Sequence, residues 1–172
     1  MLAGDITPAA RLLATAPGLG WSSGEHPGHL LFPLFARLLG GPKQLPPSRT
    51  DPLSLRGADL DELEVMTAEH DEPRLAAPEV DALLEQAGID ATPDAPARAA
   101  VLAAMKTAAE NRLAGVTEQK RRRHYGHAAQ LVATSVACDR TRETARWADA
   151  LKAGYRRFPA LRDELERATG VS

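Results

Sequence analysis

The feature that most constrains this chain is its punctuation: a proline or capping residue opens one amphipathic stretch after another, and glycines stand near the ends. Thr7 reads as an N-cap with Pro8 at the first helical position, leading through Ala9 to Ala14, with Gly18 as the stop. Pro27 opens a second helix in which Leu30, Leu31, Leu34, Phe35, Leu38 and Leu39 follow the spacing of one buried face and Gly40 ends it. Pro33 either kinks that helix or marks its true beginning.

From Gly41 to Gly57 the prolines at 42, 46, 47 and 52 remove too many amide donors for a helix or an inner strand, so residues 41–57 read as an extended arm. Asp59 or Asp61 then caps a short helix through Leu63 to Thr67, His70 to Arg74 reads as a loop, and Pro78 starts a helix that Gly88 stops. A long helix follows from Thr92-Pro93-Asp94 or from Pro96, with Val101, Leu102, Met105, Ala108, Ala109 and Leu113 on one stripe and Gly115 at its end. Thr117 is expected to cap the next, which aligns Tyr125, Ala128, Ala129, Val132 and Val136. Thr141 caps another bearing Thr144, Trp147, Ala148, Leu151 and Tyr155, and Pro159 starts a last one bearing Leu161, Leu165 and Ala168, with Phe158 stapling its entry.

This pattern predicts an all-α helical bundle of about six to eight helices. It is organised as residues 1–57, N-terminal helices plus the Pro-rich arm, and residues 58–172, the bundle, in what should be one globular unit. Composition agrees: 4% aromatic residues and a sequence rich in alanine and leucine favour helices over strands. No apolar run approaches the ~20 residues of a membrane span. Asp5 precedes any cation, and Cys138 stands alone as the single cysteine, so a cytoplasmic, reducing compartment is expected and no internal disulfide is possible. Cys138 reads as a small buried residue, and Trp21 and Trp147 as core or rim packing.

Charge is distributed unevenly. Residues 1–116 carry 9 Lys and Arg against 16 Asp and Glu, a net −7, and residues 117–172 carry 12 against 7, a net +5. The basic run Lys120-Arg121-Arg122-Arg123, placed in the first turn of a helix, would oppose the macrodipole there with only Glu118 to offset it. Either the acidic segment from Asp59 to Glu85 or the phosphates of a nucleic acid would relieve it, the latter with Arg140, Arg142 and Arg146 contributing.

Arg122 and His127 form an R-x4-H spacing, which joins a phosphate-holding guanidinium to an imidazole that exchanges protons near neutral pH. Those residues resemble the motif of the HEPN ribonucleases, helical dimers that bring two such motifs together. His26 with His29, and His124 with His127, each form an H-x2-H pair of the kind that ligates metals, with Glu25 nearby. The expectation set against both is that these histidines are structural, that no metal or cofactor is bound, and that catalysis is absent. No Walker loop, G-x-G-x-x-G, G-x-S-x-G or H-E-x-x-H occurs.

The segments KRRRHYGHAAQLV and ARWADALKAGYRRFPALRDEL resemble helical stretches near the carboxyl end of bacterial SWIM-type zinc-finger proteins. The cysteine-rich zinc motif of that family is missing here, so the resemblance implies a bacterial helical module within a larger assembly and carries no site. The leading expectation is a non-catalytic interaction module acting through a protein partner or a second copy of itself. A nucleic-acid-binding domain using Lys120, Arg121, Arg122, Arg123, Arg142 and Arg146 comes next, and a ribonuclease built on Arg122 and His127 third.

Overall fold

A computed structural model describes residues 6–21, 25–41 and 93–170, and these contain six α-helices and no strand. They are α1 (Thr7–Ala14), α2 (Pro27–Leu38), α3 (Ala95–Glu118), α4 (Tyr125–Cys138), α5 (Arg142–Gly154) and α6 (Pro159–Thr169), with a 3-10 turn at Arg122–His124 before α4. The all-α bundle expected from the sequence is what forms. The extended arm at 42–57, the short helices expected near 59–67 and 78–88, the loop at 70–74 and the 57/58 boundary lie outside the described residues.

Local chemistry explains the starts well. Asp94 caps α3 by accepting from the Ala97 amide at 2.9 Å, and the Thr141 hydroxyl caps α5 by accepting from the Thr144 amide at 3.2 Å. At α2 the cap is His26, and Pro33 sits inside a helix that begins at Pro27. At α1 the N-cap is Ile6, without a side-chain bond, so Thr7 is the first helical residue rather than the cap. That helix ends at Thr15, whose hydroxyl turns back to the carbonyls of Arg11 and Leu12, and Gly18 lies beyond it.

The ends of α3 and the start of α4 depart from expectation. Gly115 does not stop α3, and Thr117 does not cap α4; its hydroxyl returns to Leu113 O at 2.8 Å within the last turns of α3. The reversal comes at Gln119 to Arg121. Arg121 donates its amide to Val116 O and Lys120 to Thr117 O, the paired bonds of a Schellman ending, and Lys120 occupies the left-handed position with φ 53°.

Glycine at 115 serves packing. A Cβ there would stand 3.0 Å from the Gly18 carbonyl carbon, and one on Gly18 would stand 2.2 Å from Asn111 O. The loop after α1 thus crosses α3 backbone to backbone, fastened by Asn111 Nδ2 on Ala16 O at 3.1 Å and by the fully buried Arg112 on Gly18 O at 3.1 Å.

The most enclosed helix is α4, with every residue from Tyr125 to Ser135 buried. It packs on α3, α5 and α6 and touches α2, while α1 lies along α3. Arg98 near the start of α3 donates to Cys138 O at the end of α4 at 2.7 Å, so α3 and α4 are antiparallel. Side-chain rungs then join α3 to α5 in parallel: Lys106 to Thr144, Glu110 to Trp147, and Thr117 to Tyr155. The apolar rows foreseen in the sequence meet one another in a single core, Val101, Met105 and Leu113 of α3 with Leu131 and Val132 of α4 and Leu161 and Leu165 of α6.

Candidate functional site

The basic run is the first place to look, and its setting differs from the helical turn expected. Lys120 to Arg123 lie in the reversal and the 3-10 turn, ahead of α4 rather than within its first turn, so the macrodipole conflict is smaller than the sequence implies. Lys120 and Arg122 are exposed, Arg121 is half-buried, and Arg123 donates through Nε to His124 Nε2 at 2.9 Å. Arg140, Arg142 and Arg146 stand at the other end of α4, whose 14 residues span about 21 Å. The two basic groups therefore stand about a helix length apart.

In place of the distant group, the turn after α5 brings Arg156 and Arg157 to the Lys120 end. Tyr155 lies within hydrogen-bonding reach of Thr117; burial foremost, then the carboxylates of Glu110 and Glu118, hold its phenol above the ordinary value. Sequence reasoning did not single out Arg156 and Arg157, because the rung between Thr117 and Tyr155 leaves no mark in local spacing. Among the described residues Lys120, Arg121, Arg122, Arg156 and Arg157 make no ion pair, whereas Arg162 and Arg167 of α6 are matched with Glu166 and Glu164 at 3.4 and 2.7 Å. The acidic segment from Asp59 to Glu85 lies outside the described residues.

His26, His124 and His127 turn inward, and His29 is half-buried. His26 is 6% exposed; its Nδ1 accepts from the Gly28 amide at 3.1 Å and its Nε2 stands 2.9 Å from Pro17 O. A carbonyl only accepts, so Nε2 carries the proton and the ring is neutral, with both nitrogens committed to backbone. The ring lies on Trp21 at 4.7 Å between centroids, and His127 meets the same indole edge-on at 5.2 Å. Trp21 is fully buried, and Gly28 leaves room for it, since a Cβ there would come within 2.5 Å of its ring carbons. The loop and helix histidines thus converge on an aromatic corner. Among the described residues no group of three or more His, Cys, Asp or Glu can hold a metal, so His26, His29, His124 and His127 form no such site.

The same burial sets Arg122 and His127 in different surroundings. The guanidinium is on the exposed 3-10 turn, while the imidazole is 4% exposed against Trp21. A ribonuclease needs both groups at one phosphate, and the buried imidazole offers little surface to one.

A second polar cluster closes the opposite end. Lys106 Nζ donates to Thr144 Oγ1 at 2.6 Å, Thr144 donates to Asp139, and Thr141 donates to Asp139 Oδ2 at 3.0 Å. Lys106 Nζ also lies 5.5 Å from the Trp147 ring centroid, and Trp147 donates to Glu110 at 2.6 Å. Thr144 is fully buried and its hydroxyl is spoken for, so this network fixes the start of α5 onto α3. Cys138 beside it is 4% exposed; burial pushes its thiol up to about 11, with Arg98 pulling down and Asp139 adding to the rise.

Comparisons with protein-family models, with curated proteins and with solved structures return no match.

Proposed function

We propose that the chain is a non-catalytic helical module that works by engaging a partner, either another protein or a second copy of itself. The observation that carries this reading is the division of its polar chemistry. His26, His124, His127 and Cys138, the groups suited to proton transfer or nucleophilic attack, are buried and serve capping and packing. Lys120, Arg122, Arg156 and Arg157, which make no ion pair among the described residues, are exposed. A scaffold that commits its reactive groups inside and its charge outside is suited to recognition rather than turnover.

Two measurements test it. RNA incubated with the native chain and with His127→Ala should stay intact in both; cleavage lost on substituting Arg122 or His127 would overturn the reading in favour of an enzyme. Sedimentation over a wide concentration range separates the two partner types. A mass that rises with concentration supports self-association, and a constant monomer mass excludes it. No helix among the described residues is long and apolar enough to cross a membrane.

A further inference from the structure

We infer that the end of the bundle formed by the turn after α3 and the turn after α5 is a surface for the phosphate backbone of a nucleic acid. This goes beyond the reading of the chain as a module for a protein partner or a second copy, and assigns a further ligand to one end of the bundle. The two turns are neighbours because α3 and α5 run parallel in register, Lys106 on Thr144 and Glu110 on Trp147, and end just beyond at Glu118 and Gly154. Together they present Lys120, Arg121, Arg122, Arg156 and Arg157 without an ion pair among the described residues, set against the exposed carboxylate of Glu118.

Two further observations point the same way. Lys120 holds the left-handed position where glycine fits without strain, so an ammonium group is kept there at a conformational cost. The half-buried rings of Tyr155 and Phe158, 6.1 Å apart, flank Arg156 and Arg157 in the sequence and pack against the core, which anchors the turn that carries the two cations. A protein partner would need a desolvated apolar anchor. The large exposed hydrophobics among the described residues, Leu12 and Leu30, are on α1 and α2 instead. Phosphates need only the cations.

The test is fluorescence anisotropy of a labelled single-stranded RNA and a duplex DNA with the full chain. Three double variants are compared: Arg121→Glu with Arg122→Glu, Arg156→Glu with Arg157→Glu, and Arg142→Glu with Arg146→Glu at the other end. All three change net charge equally, so position alone distinguishes them. Five phosphate contacts predict an affinity loss on the order of 100-fold between about 50 and 200 mM salt. The first two variants should each weaken binding about tenfold or more and flatten the salt dependence, and the third should change it far less. Equal losses from all three, absence of binding at low salt, or competition by polyglutamate as effective as by RNA would overturn the inference. The last of these would assign an acidic polypeptide instead. Failure here with RNA left uncleaved sinks only the phosphate surface; RNA cleavage sinks the module reading itself.

Discussion

Cys138 shows how a single side chain is governed by its surroundings. Its thiol contacts Ala36 O at 3.7 Å and lies between the ends of α2 and α4, where water is excluded. The folded chain therefore holds the proton to about pH 11, against an ordinary value near 9. Below pH 9 both folded and unfolded thiols are protonated and the group adds no pH dependence. As pH rises from 9 towards 11 the unfolded chain ionises first, so stability falls by roughly 2–3 kcal/mol. Cys138→Ala lacks that loss, and denaturant titrations at pH 8 and pH 11 should show native stability dropping relative to the variant by this amount. At pH 8 a thiol-reactive dye should label native Cys138 only as fast as the chain opens. The expectation of a small buried residue was legible because a lone cysteine near a helix end has no motif partner. The histidines were less so: two H-x2-H pairs suggest ligands, and only the tertiary approach of Trp21 shows that His26 caps a helix and His127 lines a core.

At the scale of elements, sequence reading succeeded where a local bond decides a boundary and failed where a distant segment does. Asp94, Thr141, Pro27 and Pro159 start helices for reasons contained within a few residues. Gly115 does not end α3, because the loop around Gly18 needs the missing side chain and the helix absorbs the propensity cost of about 1 kcal/mol. Gly18→Ala should lose about 2 kcal/mol or more in chemical denaturation, since its Cβ would collide with the α3 backbone. The left-handed Lys120 predicts the opposite sign. Lys120→Gly removes the strain at the end of α3 and should raise stability by about 0.5–1 kcal/mol, after the entropy of a freer unfolded chain is subtracted. A loss of stability on that substitution would mean that the Lys120 side chain holds the turn together.

For the molecule as a whole, Arg98 is the residue on which three helices depend. From α3 it donates to Cys138 O at 2.7 Å and Leu39 O at 3.4 Å, placing one cation at the carbonyl ends of α4 and α2. Arg98→Ala should cost about 2 kcal/mol and increase amide exchange at the ends of both helices, whereas Arg142→Ala on the exposed surface should change stability little. Nothing in the sequence near Arg98 announces this role, because both acceptors come from segments 40 and 59 residues away. Distances between the cations were silent for the same reason: Lys120 to Arg123 and Arg140 to Arg146 are near in sequence, and the 14 residues of α4 set the two runs about 21 Å apart. The crossing of Gly18 over Gly115 has a further consequence. Residues 6–41 and 93–170 bury their apolar faces in one shared core, so a single backbone cut between Gly41 and Pro93 should give two fragments that recognise each other. Mixed in trans they should complement into a folded heterodimer, weaker than the intact chain by the loss of a tether whose effective concentration is on the order of millimolar.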